Sequence, residues 1–367
     1  MIKIMHISDI HLGATLKGAS YGKEFSSRRQ REIKDTFFNA LKYSNDNNVD
    51  YLIISGDLFD TELMKMSDVN NVFKGLGELD ANVLIITGNH DPLKSDSFWN
   101  TVKHEKNIYI FKDEVSKLSF PKDNLEVYGH SWNRYYISEK VFDDVPNIDY
   151  SKINILIAHG DIYTKKTNYL PIDKKNLVAL NFDYVALGHI HKQDFITDRI
   201  SYPGSLEPFD FSETGKHGFN LIELDKKNIN ATFIPFAKRE FIVKDIELDG
   251  EMTENDIYTL INNVDSNENK ELNMYRIVFK GRYNYQIDLD KNYLSEIFSN
   301  DFSYIEFKNK AKFDFDIDTL KQENKDNIIG KYIERFDTVD LDNEINKQAF
   351  NLGIELLLNS KEGILWK

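Results

Sequence analysis

Five short segments of this 367-residue chain gather side chains that ligate metals or carry protons. They are Asp9-Ile10-His11, Gly56-Asp57, Gly88-Asn89-His90-Asp91, His159-Gly160-Asp161 and Gly188-His189-Ile190-His191. Five of the nine histidines fall within them. Carboxylates, an amide oxygen and several imidazoles, in a chain with no cysteine at all, suit first-row divalent ions bound through mixed nitrogen and oxygen donors. Alone, each segment is ordinary. Gly-Asp is a common turn, Asp-x-His places two side chains on one face of a surface strand, and His-x-His fits a buried hydrogen-bonded pair. Their joint occurrence, in order and each at a strand end, sets them apart.

The elements that must position them are legible as apolar runs. Residues 2–7, 51–55, 83–87, 125–128, 153–158 and 184–187 are short, rich in Ile, Val, Leu and Tyr, and mostly closed by Gly or Asp, which reads as buried strand followed by turn. Ile33, Phe37, Phe38 and Leu41 recur at helical spacing, with Ser26 or Ser27 placed to cap the helix start. A second helix is predicted over 68–79. Strand–helix alternation implies an α/β fold, and such sheets bind ligands at the carboxyl ends of their strands. Glycines beside Asp57, Asn89 and His189 permit sharp turns there. Residues 194–201, 218–224 and 231–236 read as further consecutive strands.

From residue 241 the pattern restarts. Strands are predicted at 240–248, 275–280 and 304–307, with helices near 254–264 and 292–298, and the last fifty residues read as helical. Ile328, Ile329, Tyr332, Ile333 and Phe336 form one apolar face, and Ile345, Ala349, Phe350, Leu352 and Leu356 another. The organisation expected is 1–240, 241–315 and 316–367.

The net charge is −14, unlike a protein that grips nucleic acid through a basic field. The excess is uneven. Residues 1–240 carry 30 basic and 34 acidic side chains, residues 241–367 carry 16 and 26. No stretch approaches the ~18 consecutive apolar residues of a membrane span, and the start MIKIMHISDI lacks signal-peptide character. A soluble, cytoplasmic protein without membrane partners is expected.

Taken together, ISDIHLG, SGDLFD, TGNHD and ALGHIH, followed by SYPGSLEPFDFSE, resemble the calcineurin-like metallophosphoesterases. The likeness is sharpest to the bacterial SbcD type of DNA repair exonuclease subunit, related to the archaeal and eukaryotic break-repair nucleases. It covers residues 4–215; beyond 241 only the layout matches. The resemblance implies an αββα metallophosphoesterase sandwich (nuclease domain, 1–240), a small α/β capping domain that restricts or positions DNA (241–315), and C-terminal helices (316–367) of the kind that bind an ATPase subunit in the family, with capping of their own domain as the alternative. It implies two divalent ions, expected to be manganese, bridged by Asp57. One would be held by Asp9, His11 and His191, the other by Asn89, His159 and His189, with His90 as the non-ligand catalytic histidine. Two close ions would offset phosphodiester charge, generate hydroxide near neutral pH and stabilise the leaving alkoxide.

The activity so implied is 3′-to-5′ exonuclease on duplex DNA and endonuclease on single strands or hairpins. The partners implied are DNA and an SbcC-like coiled-coil ABC-type ATPase, in a heterotetramer containing two copies of this chain. Asp60 stands where archaeal and eukaryotic relatives carry histidine, which favours the bacterial branch and reads as a hydrogen-bond partner or turn residue. Asp91 is read as orienting His90 or capping the next turn. Lys17, Lys23, Arg28, Arg29, Arg31 and Lys34 read as a solvated helix face, with phosphate contact as the alternative. His6, His130 and His217 are taken as structural. A phosphoesterase for small nucleotides and a non-catalytic assembly subunit are the competing functions. The acidity predicts weak, salt-sensitive DNA binding by the chain alone.

Overall fold

The structure, a computed structural model, describes residues 1–15, 23–60, 64–143, 145 and 148–359. Its contacts divide it into two units, Met1–Glu240 and Phe241–Lys367.

In the first unit, β1 (Ile2–Ile7), β2 (Tyr51–Ser55), β3 (Asn82–Ile86) and β4 (Ile108–Ile110) run parallel. A second sheet contains β5 (Ser116–Phe120), β6 (Leu125–Gly129), β7 (Ile153–His159), β8 (Tyr184–Gly188), β9 (Asp194–Phe195) and β10 (Ile200–Tyr202). The antiparallel strands β11 (Gly218–Leu224) and β12 (Ile229–Pro235) return to the first sheet, whose order is β12-β11-β1-β2-β3-β4; the second runs β5-β6-β7-β8-β10-β9.

The central strands read as unbroken apolar runs because both of their faces are buried. Ile53, Leu84 and Ile86 point between the sheets, against Val127, Ile155, Ile157 and Tyr184. Their neighbours Leu52, Ile54, Val83 and Ile85 face the other way, onto Ile33, Phe37, Val69 and Phe73. These last come from α1 (Lys23–Asp46) and α2 (Met66–Gly77). On the far side of the second sheet, Leu156, Val185 and Leu187 pack with Trp132 and with Leu177 of α3 (Lys174–Ala179). The layers are helix, sheet, sheet, helix, as expected.

Two local expectations are corrected. α1 starts at Lys23, so Ser26 and Ser27 lie inside the helix and neither caps it. Residues 194–201 are not one strand but the antiparallel pair β9 and β10. The chain reverses at 197–199, where the Thr197 amide donates to the Ile200 carbonyl and the Arg199 amide to the Thr197 hydroxyl.

The second unit has parallel strands β13 (Phe241–Leu248), β14 (Met274–Asn284) and β15 (Tyr304–Asn309), with β16 (Lys312–Asp314) pairing the later part of β14. Helices α4 (Glu254–Asn262), α5 (Asn267–Leu272) and α6 (Lys291–Ile297) make the crossovers. Ile246, Ile257, Ile261, Ile277, Phe279, Leu294 and Phe307 form its core. α7 (Ile317–Glu323), α8 (Ile328–Phe336) and α9 (Glu344–Asn359) close on Leu320, Ile333, Phe350 and Ile354. Ile345, Leu352 and Leu356 of α9 stay exposed. Among the described residues no helix is long and apolar enough to cross a membrane.

Candidate metal centre

The parallel register of β1 and β2 continues past both strands. Asp9 donates its amide to the Gly56 carbonyl, His11 to Asp57 and Leu12 to Leu58, and Asp60 donates back to Leu12. The two loops are thereby zipped together at the carboxyl edge of the sheet. Asp9, His11, Asp57 and His189 all have positive φ, at 51°, 47°, 50° and 99°. Non-glycine residues held there cost about 1–3 kcal/mol each and persist where the surroundings over-determine them. Asp9 and His11 therefore do not share a strand face; they are turned inward by two left-handed residues beyond the strand. Glycine is required at Gly88, where a Cβ would lie 2.1 Å from Asp57 Oδ1 and 2.7 Å from His159 Nε2.

All seven residues expected to hold metal are brought together. His11 Nε2 and His191 Nε2 are 3.2 Å apart, and His191 Nε2 is 3.8 Å from Asp9 Oδ1. Asn89 Oδ1 lies 3.1 Å from His159 Nε2 and 3.2 Å from His189 Nδ1. Asp57 stands between the two groups, its Oδ2 3.3 Å from His159 Nε2 and 3.7 Å from His11 Nε2. Asp9 is fixed by the His189 amide, which donates to both its oxygens at 3.2 and 3.0 Å. Asp9, Asp57 and His159 are almost wholly buried.

The donors face inward because their protons are engaged outward. His159 Nδ1 is 2.9 Å from the Ser55 carbonyl oxygen and donates to it, which turns Nε2 inward. Burial opposes charge on this ring, but Asp57 raises it to about 9, so without an ion Nε2 is also protonated and an ion would displace that proton. His191 Nδ1 is likewise 2.8 Å from Glu213 Oε1. Burial holds His11 near 3 against the pull of Asp57, and burial with the charge of His159 holds His189 near 4, so both imidazoles are neutral. Burial opposes charge on Asp57, but His159 and then His11 keep its carboxyl well below the usual range. Imidazole nitrogens, an amide oxygen and two buried carboxylates in two groups sharing one carboxylate fit two divalent ions with mixed nitrogen and oxygen ligation. Among the described residues the three-residue groups of possible metal-holding side chains are Asp9, His11 and His191; Asp9, Asp57 and His159; and His11 and Asp57 with the neighbouring His90.

His90 stands at the rim, its ring edge-on to His11 at 4.6 Å, and its amide donates to Asp57 Oδ1 at 2.8 Å. Asp91 does not orient it. The buried Asp91 carboxylate accepts from the amides of Gly88 and Phe59, at 2.7 and 3.2 Å. It caps its own turn and pins that turn to the loop after β2; burial, then the charge of Asp57, raises it to about 7.

Outside the cluster, His6 bonds Tyr184 and Ser55 in the core, where burial pushes it down to about 3. His130 is buried against Phe142. The basic run is not a uniform solvated face. Arg29 is fully buried between Glu32 and Glu207, which removes it from any phosphate contact; Lys34 pairs with Asp68; Lys17 lies outside the described residues. Two residues near the cluster carry no role that sequence reasoning assigns. Glu213 holds His191, and Phe209 lays its ring against His11 and His191. Their only sequence signal is their place in the SYPGSLEPFDFSE stretch.

A family model described as calcineurin-like phosphoesterase matches residues 2–193. The chain is 27% identical over 248 residues to YhaO of Bacillus subtilis, described as an uncharacterized metallophosphoesterase. That match takes in 63% of this chain and spans only 60% of the relative's own length. Among solved structures the chain is similar to a dimetal phosphatase from Danio rerio, with a TM-score of 0.36 and 11% identity, over 63% of this chain and 98% of the other.

Proposed function

The chain belongs to the calcineurin-like phosphoesterase family, and from that premise we propose that it is a two-ion DNA nuclease, the nuclease subunit of an SbcCD-like repair complex. The observation that carries the reading is the full donor set around Asp57, joined to the SYPGSLEPFDFSE stretch that supplies Glu213 and Phe209. A further unit with its own core, Phe241–Lys367, follows the phosphoesterase unit; a small-ester hydrolase has no need of one.

The ions, taken to be manganese, supply charge neutralisation for the phosphodiester and activation of the attacking water when bound. Asp9, His11 and His191 would hold one, Asn89, His159 and His189 the other, and Asp57 would be shared by both. His90, at the exposed rim, carries a proton to the leaving oxygen. Asp91 and the amide chain from Asp9 to Asp60 keep the loops from moving as substrate binds. In this reading the second unit positions DNA, and Ile345, Leu352 and Leu356 of α9 dock a coiled-coil ATPase subunit, whose complex holds two copies of this chain. The acidic second unit leaves much of the DNA grip to that partner.

The test compares manganese-dependent hydrolysis of duplex DNA ends and hairpins with that of bis(p-nitrophenyl) phosphate, with and without the partner ATPase. Cleavage of DNA supports the reading. Turnover of the small ester with none of DNA, even with the ATPase, overturns it in favour of a small-substrate phosphodiesterase.

A further inference from the structure

The carboxylate of Glu213 is engaged at both oxygens. Oε1 is 2.8 Å from His191 Nδ1, and Oε2 accepts from the Ser205 hydroxyl at 3.0 Å and the Phe209 amide at 3.2 Å. Ser205 Oγ is itself 2.9 Å from Nδ1 of the buried His217, and the Ser205 amide donates to the His191 carbonyl at 2.9 Å. The loop is thus tied to His191 through backbone and side chain together. Its Phe209 ring lies 5.3 Å from His11 and 5.8 Å from His191, centre to centre.

We infer that Glu213 is the positioning residue of this centre: it fixes His191 with Nε2 turned toward Asp9 and His11, strengthens that nitrogen as a donor, and seats Phe209 over both rings. The inference rests on the two-ion reading. A ligating imidazole whose other nitrogen donates to a carboxylate is held in one tautomer and one ring orientation. The arrangement is asymmetric. His159 gives its outer proton to the neutral Ser55 carbonyl, whereas His191 gives its own to a carboxylate. Loss of Glu213 therefore weakens the ion held by Asp9, His11 and His191 and leaves the one near Asn89 and His159 in place.

The test uses the full chain with E213Q, which keeps the shape but replaces the carboxylate by a neutral amide with a single accepting oxygen. Manganese titration followed by the electron paramagnetic resonance of the free ion is expected to show two sites in the wild type. In E213Q one should weaken by roughly 10–100-fold and the other stay unchanged. If E213Q does not fold, Ser205→Ala, which removes one of the two donors to Glu213 Oε2, should weaken the same ion by less. Two sites of wild-type affinity in E213Q would overturn the assignment. A wild-type chain that binds no manganese would instead sink the two-ion reading and this inference with it.

Discussion

His11 Nε2 and His191 Nε2 point at each other across 3.2 Å, though 180 residues separate them in the chain. The outer nitrogen of His191 is committed to Glu213. Without an ion, burial opposes charge on His191, but Glu213 and then Asp9 outweigh it and raise the ring to about 9. Its inner nitrogen then carries a proton and donates to the neutral His11. A divalent ion takes the place of that proton beside Asp9 and Asp57, and should stabilise the folded state. At ~100 times its Kd, manganese adds about 2.7 kcal/mol per site, which for a unit of this size raises Tm by roughly 5–10 °C. Thermal melts with EDTA and with added manganese measure this, and coincident melts would remove the basis for the ion.

Asp57 is the residue that both halves of the centre need. Asp57→Asn keeps the shape and removes the charge that stands 3.3 Å from His159 Nε2 and 3.7 Å from His11 Nε2. Both ions should be lost on gel filtration, and phosphodiester hydrolysis should fall by roughly 10³-fold or more. Metal analysis of the purified variant decides the point. Retention of one full equivalent would mean that Asp57 serves a single ion.

His90 should separate chemistry from binding. Its ring sits beside His11 at the rim, and its tie to Asp57 is made by the backbone amide, which a substitution preserves. His90→Asn is expected to keep both ions with unchanged affinity while kcat drops by about 10²–10⁴. A parallel loss of manganese would make His90 a ligand instead of a proton carrier.

What can be read in the chain, and what cannot, follows from distance along it. Asp57 and Asn89 are recognisable because each carries a donor next to a glycine at the end of an apolar strand. The close approach of Gly88 to Asp57 and His159 explains that glycine. Glu213 is not recognisable, because only the return of the chain through Ser205 places it on His191. Arg29 misleads for the same reason. In a basic run it looks solvated, but Glu207, 178 residues on, buries it as an ion pair. The split of 194–201 into β9 and β10 turns on two local hydrogen bonds at Thr197, to which an apolar pattern is blind.

The Arg29 cluster makes a prediction about acid stability. Glu32 accepts from Arg29 at 2.8 Å and from Arg239 at 2.7 and 2.9 Å. Burial opposes its charge, but these bonds, Arg239 first, hold its carboxyl at about 2 against an ordinary 4.5. The folded pKa is the lower one, so the stabilisation is complete above 4.5 and disappears as pH falls through 2. A shift of this size corresponds to about 3 kcal/mol at pH 7. Glu32→Gln should therefore be less stable than the wild type by about that amount at neutral pH in urea unfolding. The gap should narrow by roughly 1 kcal/mol by about pH 3.5, because the unfolded wild-type carboxyl is then largely protonated while the folded one is not. A gap that stays constant over that range would mean that the substitution costs packing or hydrogen bonds rather than charge, and that Arg239 and Arg29 do not hold Glu32 ionised.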